Sequence, residues 1–415
     1  MRVLIASSAT GGHIYPALAI AEEIKKRDAE AEFLFVGAKW EIGRDIVGSA
    51  GYRQEFIDVS GFSRSNPLKN VKVLRDLARA SGDVGRILGE FRPDACIGTG
   101  GHVSGPVIRA AKKAGIRTMI QEQNVIPGIA NRLAERYADK VFVGFEGTAE
   151  YFKDREKVVV SGNPVRPAFA EAAAKRADIR KKHGVAEGAF CALFFGGSQG
   201  AGAINDAAVA AAGALLAPET AETAVKPKTA GAQEAPDTPD TPDEPDTPET
   251  PETPRVHPGY GGPYHFIVIT GREYYSEVNS ALDDLLKAQA SGGFSITVMG
   301  YSDEIYELFA AADLIVARAG ALTVTEIAHS GKASILIPSP NVTNNHQYYN
   351  AKALADAGAA VLMTEEELQA EPSPLLLEIE KLAAAPEKAA AMGVAAAGQA
   401  KQDSAKVIVD ELFGS

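Results

Sequence analysis

The sequence predicts an α/β protein of two Rossmann-like lobes, with parallel sheets facing each other across a cleft. Three observations carry this. Short apolar runs alternate with segments of helical periodicity, the pattern of parallel strands covered by helices. Two successive series of such units each open on a strand followed by a glycine turn. At 415 residues the chain is also too long for one ordinary core.

In the first series the strand candidates are "RVLIA", "EFLFVG", "ACIGTG", "RTMIQEQ" and "KVFVGF", closed by "KVVVSGNPVR". The second runs through "FCALFFGGSQG", "HFIVITG", "FSITVMGY", "DLIVARAG" and "ASILIP". The boundary falls near Pro164, giving a first lobe over 1–163 and a second over 164–397. Helical material follows about Gln347, and 398–415 is expected to form a helix that packs back on the first lobe. One segment breaks the order. Residues 217–262 hold a "DTP/ETP" repeat with ten acidic and three basic residues. Of the chain's net −12, −7 lies in this insert and −5 elsewhere. So proline-rich and acidic a stretch cannot bury enough apolar surface to order itself. It reads as a disordered surface insertion without a catalytic role, partner docking being the other reading.

With 46% apolar and 23% charged residues the composition is that of a globular soluble protein, and the net −12 argues against nucleic acid as a partner. Cys96 and Cys191 sit in separate apolar runs and read as core thiols of a reducing cytosol. No apolar run approaches the length of a membrane span. "MRVLIASSATGG" breaks its apolar run too early for a signal peptide. A cytoplasmic location is therefore expected.

Three strand–glycine–helix turns stand out: "ATGGH", "GTGGHVSGP" and "GGSQGAG". Glycine lets backbone N–H groups approach phosphate oxygens, and a helix N-terminus favours an anion. In the first, Pro16 suits the first turn of a helix whose face holds Ala17, Ile20, Ala21 and Ile24. His13 stands at that helix end. One such turn is often only a tight connection; three, spread over both lobes, point to two anionic ligands in a cleft. None matches the dinucleotide fingerprint or the P-loop. In "ARAGALTVTEIAHSG" Glu326 lies a few residues inside a helix start. A carboxylate there holds a vicinal diol such as ribose, or merely compensates the helix dipole, and spacing leaves both open. Asn344, Asn345 and Gln347 in "NVTNNHQYYNA" suit sugar hydroxyls, or the loop's own backbone. His183, His257, His265 and His329 read as surface or loop residues.

The segments "TGGHIYPALAIAEEI", "EQNVIPGIANRLAERYADKVFVGF", "SGNPVRPAF", "FFGGSQGA" and "RAGALTVTEIAHSGKASILIPSPNVTNNHQYYNA" together resemble the MurG family of bacterial cell-wall glycosyltransferases. The resemblance covers nearly the whole chain in order, the acidic insert apart. It implies a GT-B fold and transfer of GlcNAc, with inversion, from UDP-GlcNAc to the C4 hydroxyl of MurNAc in undecaprenyl-pyrophosphoryl-MurNAc-pentapeptide, lipid I, giving lipid II. No cofactor is expected, and no metal, since the chain shows no paired-carboxylate ligand motif between strands. The resemblance implies a peripheral place on the cytoplasmic face of the cell membrane, among cell-wall synthesis and division proteins. Carried over residue by residue, the substrate-binding set is Thr10, Gly11, Gly12, Asn124, Arg166, Ser198, Ser302, Ala321, Leu322, Thr323, Val324, Thr325, Glu326 and Gln347. Glu326 then takes the ribose, Ser302 the uracil and Gln347 the GlcNAc, and the first two glycine turns face the acceptor's pyrophosphate. His13 is the candidate base, the other reading being that it binds or caps its turn without moving a proton. Glu122 is the second candidate base, or holds its loop. The chain departs from the family at Ser7, Ser8 and Ala9, where glycines are usual, and at His102, where an aromatic residue is common.

UDP is a good leaving group, so the chemistry needs a base and positive potential for the diphosphate rather than a general acid. Residues 67–80 of "NPLKNVKVLRDLARA" set Leu68, Val71, Leu74 and Leu77 beside Lys69, Lys72, Arg75 and Arg79. That is the pattern of a helix lying on an anionic bilayer, and equally of an amphipathic helix packed on a core. The alternatives are an epimerase acting on UDP-GlcNAc alone, a non-catalytic nucleotide-sugar module, and a glycosyltransferase with another acceptor.

Overall fold

The computed structural model describes residues 1–8, 10–39, 44–59, 81–216, 262–288, 293–370 and 373–414. Residues 217–261 of the acidic insert and the 67–80 segment lie outside the described residues.

Among the described residues the first sheet has seven strands: β1 (Arg2–Ser7), β2 (Glu32–Ala38), β3 (Arg53–Ile57), β4 (Ala95–Gly100), β5 (Arg117–Glu122), β6 (Lys140–Val143) and β7 (Val158–Val160). Their order is β3-β2-β1-β4-β5-β6-β7. The second has six: β8 (Phe190–Phe195), β9 (Tyr264–Ile269), β10 (Phe294–Met299), β11 (Leu314–Ala317), β12 (Ala333–Leu336) and β13 (Val361–Leu362). They run β10-β9-β8-β11-β12-β13. Every pairing is parallel. The central strands are apolar on both faces because helices cover both. Along β1, Val3 and Ile5 enter one core while Leu4 and Ala6 enter the other.

In each sheet the strand order reverses at the opening strand, between β1 and β4 and between β8 and β11. A parallel α/β sheet opens a crevice at the carboxyl ends of its strands at such a switch point. The turns after β1, β4, β8 and β11 all lie there. The helices of the first part are α1 (Gly11–Arg27), α2 (Arg44–Ser49), α3 (81–91), α4 (Ser104–Lys113) and α5 (Ile129–Ala134). Those of the second are α6 (Ala168–Ala173), α7 (Arg176–Lys182), α8 (Gly202–Leu216), α9 (Tyr275–Ala288), α10 (Ile305–Ala311), α11 (Ala321–Ser330) and α12 (His346–Asp356). After α13 (Glu365–Leu368) come α14 (Pro374–Ala384), α15 (Pro386–Gln399) and α16 (Ser404–Phe413). The last helix, α16, buries Ile408, Val409 and Leu412 against Val3, Ile5, Ile20 and Ile24 of the first sheet's layer. Arg117 on β5 holds its end, donating to the Leu412 carbonyl at 2.9 Å and the Glu411 carbonyl at 2.7 Å.

Three details differ from the sequence reading. Helix α1 opens at Gly11, so Pro16 lies inside it rather than in its first turn. The ring is tolerated where its i−4 neighbour is Gly12, which leaves the first turn room to tilt its carbonyl. Strands β3 and β13 were not anticipated; both are sheet edges, one polar and one of two residues, and neither carries an apolar run. His265 is not a surface residue but is buried in β9, bonded to Ser295 Oγ at 2.8 Å and Thr297 Oγ1 at 3.2 Å. Burial pushes its imidazole down to about 4, so it stays neutral. His183 and His329 are half-buried and His257 lies outside the described residues. Cys96 and Cys191 are buried free thiols, each pushed up to about 12 by desolvation.

Candidate functional site

The first two glycine turns close on one another. Thr10 is extended and precedes α1, and its carbonyl receives the N–H groups of His13 at 2.9 Å and Ile14 at 3.1 Å. Ser8 N–H donates to the Gly100 carbonyl at 3.2 Å. Gly100 and Gly101 both have positive φ, +117° and +79°. A Cβ on Gly101 would lie 1.7 Å from Ser8 Oγ, and one on Gly100 would lie 2.6 Å from His13 Nδ1. Only glycine therefore lets the turns meet and the His13 ring rest on the second of them. His13 Nδ1 is 3.0 Å from Gln123 Oε1.

Glu122, at the end of β5, is buried, and its carboxylate is fully engaged by its own loop. Oε1 accepts from Asn124 N at 2.9 Å and Asn124 Nδ2 at 3.1 Å. Oε2 accepts from Gly128 N at 3.0 Å and Asn131 Nδ2 at 2.9 Å. Four donors on one carboxylate make it the frame of the loop 124–131. Asn124 is bound in turn by Asn350 of α12, whose Nδ2 donates to Asn124 Oδ1 at 3.2 Å and whose Oδ1 accepts from Val125 N at 3.0 Å. A cavity of about 600 Å³ opens beside this loop, lined by His13, Gly101, Glu122, Asn124, Ile129 and Leu133 on one side and Thr343, Asn344 and His346 on the other.

Across the gap, Arg166 follows the crossover from β7 and lies over three rings: Tyr15 at 4.5 Å, Phe169 at 5.3 Å and Tyr306 at 5.9 Å. Its Nε is buried without a hydrogen-bond partner among the described residues. Tyr15 on α1 is hydrogen-bonded to Tyr301, and burial pushes its phenol above the ordinary tyrosine range. The two lobes thus touch at a Tyr15–Tyr301 pair beside the guanidinium. Glu326 is buried in α11, and desolvation raises its carboxyl to about 7 while the Arg166 charge pulls the other way. In the same helix Ala321, Leu322 and Val324 are buried and Thr323 and Thr325 half-buried. Ser302 is half-buried next to Tyr301, and Ser198 is exposed on the third turn. Gln347 Oε1 accepts from Ser339 N at 2.9 Å.

The structure therefore groups Thr10 to His13, Glu122 and Asn124 on the first-lobe side, and Arg166, Ser302 and the 321–326 helix start on the other. Sequence reasoning missed Gln121, Gln123, Asn163 and Asn350, the buried amides that tie these groups together, and the Tyr15–Tyr301 pair. The run "QEQN" at the end of an apolar strand is the signal that could have found the first two. Among the described residues no three His, Cys, Asp or Glu side chains form a metal-holding group, and no helix is long and apolar enough to cross a membrane.

The glycosyltransferase family 28 N-terminal domain model matches residues 3–143, and the family 28 C-terminal domain model matches residues 191–408. A relative from Alkaliphilus oremlandii is 36% identical over 372 residues, covering 89% of this chain and 87% of the relative. One from Desulforudis audaxviator is 36% identical over 417 residues, covering 100% of this chain and 99% of the relative. Both are named UDP-N-acetylglucosamine–N-acetylmuramyl-(pentapeptide) pyrophosphoryl-undecaprenol N-acetylglucosamine transferase. In fold the chain is similar to Acinetobacter baumannii MurG, with a TM-score of 0.69 at 23% identity, covering 100% of this chain and 99% of that one. It is also similar in fold to a UDP-GlcNAc 2-epimerase from Neisseria meningitidis, with a TM-score of 0.62 at 14% identity, over the full length of both chains. The chain belongs to glycosyltransferase family 28 and, within it, to the MurG transferases that its motifs resemble.

Proposed function

We propose that this protein transfers GlcNAc from UDP-GlcNAc to the C4 hydroxyl of MurNAc in undecaprenyl-pyrophosphoryl-MurNAc-pentapeptide, inverting the anomeric centre. The observation that carries the reading is the full-length 36% identity to transferases so named, combined with His13 and the Glu326–Arg166 pair on facing sides of one gap. The first lobe, 1–163, takes the acceptor in the cavity beside the 124–131 loop. The second, 164–397, takes the donor, with Ser302 at the uracil, Glu326 on the ribose hydroxyls and Gln347 at the sugar.

His13 takes the proton of the C4 hydroxyl as its oxygen attacks the anomeric carbon. The new C–O bond forms on the face opposite the departing phosphate oxygen, and the bonding pair leaves with UDP. Arg166 and the N-termini of the helices after the glycine turns offset the charge that develops on the diphosphate. Glu122 holds Asn124 and its loop rather than taking the proton, since its carboxylate already accepts four hydrogen bonds.

The lipid-borne acceptor places the reaction at the cytoplasmic face of the membrane, with Lys69, Lys72, Arg75 and Arg79 supplying attraction to anionic lipid and cell-wall synthesis and division proteins as neighbours. The test is incubation of the purified chain with labelled UDP-GlcNAc and a lipid I analogue. A disaccharide product and free UDP are expected, lost in His13→Ala. Consumption of UDP-GlcNAc at the same rate without acceptor would overturn the reading in favour of epimerisation or hydrolysis.

A further inference from the structure

The hydrogen bonds that link His13 Nδ1, through Gln123, to the second lobe run in one direction. They begin in the second lobe, where the Thr325 hydroxyl donates to the Ala321 carbonyl at 2.8 Å. Its oxygen is therefore an acceptor, and it receives Asn163 Nδ2 at 3.0 Å. Asn163 Oδ1 receives Gln121 Nε2 at 2.9 Å. Gln121 Oε1 receives Gln123 Nε2, and Gln123 Oε1 faces His13 Nδ1 at 3.0 Å.

Backbone carbonyls, which only accept, fix each amide independently. Gln123 Nε2 also donates to the Thr99 carbonyl at 2.6 Å, Asn163 Nδ2 to the Gln123 carbonyl at 3.0 Å, and Gln121 Nε2 to the Glu122 carbonyl at 3.3 Å. Turning any one amide over would set oxygen against oxygen at a buried site, and Gln121, Gln123 and Asn163 are 0%, 2% and 1% exposed, so water cannot repair the loss. Gly144 makes room for the chain, since a Cβ there would lie 2.4 Å from Asn163 Oδ1.

We infer that this relay fixes the tautomer of His13: in the neutral ring Nδ1 carries the hydrogen and Nε2 is the nitrogen that accepts the substrate proton, with Gln123, Gln121 and Asn163 as positioning residues. An acceptor oxygen at 3.0 Å from Nδ1 requires a donor there, and a neutral imidazole has only one. The orienting group is a neutral amide, so it sets direction without adding a countercharge. The relay ends on Thr325, next to Glu326, so the helix that carries the donor-side carboxylate also holds the far end of the histidine's support. The catalytic consequence rests on the reading of His13 as the base; the tautomer does not.

The test is nitrogen NMR of the full chain labelled in histidine, at a pH where the ring is neutral, with the His13 signals assigned by difference against His13→Ala. A protonated Nδ1 and an unprotonated, basic Nε2 are expected. Gln123→Leu is expected to release the ring toward the opposite tautomer and to lower kcat by about 10–10³-fold at little change in donor KM. Gln123→Glu keeps an acceptor at Nδ1 and is expected to retain most of kcat, with the acidic limb of the pH–rate profile, where His13 loses its proton, moved up by about one unit by the new charge. Thr325→Val removes the far acceptor and is expected to weaken the Nδ1 preference. A neutral wild-type ring protonated at Nε2 would overturn the inference, as would a Gln123→Leu protein with unchanged tautomer and kcat. A protein with the expected tautomer that transfers no GlcNAc would refute the proposed function and leave the relay standing.

Discussion

Replacing Glu326 by Gln removes a carboxyl that folding takes out of water. Its pKa stands at about 7 against an ordinary 4.5, desolvation being the cause and the Arg166 charge a partial offset. A folded-state pKa raised above the unfolded one means the native protein holds the proton longer. The wild type is therefore fully credited with this group below pH 4.5 and loses stability as pH rises toward 7, after which the loss is constant. The shift amounts to about 3 kcal/mol at ~1.4 kcal/mol per unit, and most of it falls between pH 5 and pH 8. Urea unfolding of both proteins at those two pH values reads it directly: Glu326→Gln should gain about 2–3 kcal/mol on the wild type between them, a relative midpoint shift of roughly one molar. Binding should show the same group from the other side. If the ribose hydroxyls donate to this carboxylate, UDP favours its ionised form, and calorimetry in buffers of different ionisation heat should find more proton release near pH 6 in the wild type than in the variant, where only the nucleotide's own phosphate contributes. A stability difference independent of pH, together with equal proton release in both proteins, would refute the reasoning.

His13→Gln should lower kcat by about 10²–10⁴-fold while leaving UDP affinity within a few fold, as measured by steady-state kinetics and calorimetry. Arg166→Met keeps much of the apolar stem but removes the guanidinium that lies over Tyr15; kcat should fall by about 10²-fold and UDP should bind more weakly. Ile408→Ala opens a cavity between α16 and α1 and should cost about 2–5 kcal/mol in urea unfolding. Changing Lys69, Lys72, Arg75 and Arg79 together to Gln should abolish binding to anionic vesicles, in a sedimentation assay, without reducing transfer to a detergent-soluble acceptor.

The fold was legible because both sheets are parallel and covered on both faces, which turns each central strand into an unbroken apolar run such as "RVLIA" or "DLIVA". The edges β3 and β13 were not, because an edge strand has no such requirement. The glycine turns were legible as turns, and Gly100 and Gly101 repay the reading with positive φ and a neighbour where a Cβ would stand. The amide relay was illegible beyond its local half. Gln121 and Gln123 are neighbours in sequence, but Asn163 and Thr325 reach them only because the chain leaving β7 passes beside β5 on its way to the second lobe and α11 faces back. Glu326 was visible as a carboxylate in a helix start; that it is buried follows from the lobes' packing, which spacing does not encode. His265 misled for a related reason. A histidine opening an apolar strand resembles a flank, and its partners Ser295 and Thr297 lie on the adjacent strand.

Transfer requires the two substrates to meet in the gap between the sheets, so a structure of the chain with UDP-GlcNAc and a soluble MurNAc-diphosphate acceptor is the decisive measurement. It should place uridine against 301–302 with its ribose on Glu326, and the acceptor's C4 oxygen about 3 Å from His13 Nε2. A uridine outside the gap between the two sheets, or an acceptor oxygen approached by another base while His13 faces away, would contradict it.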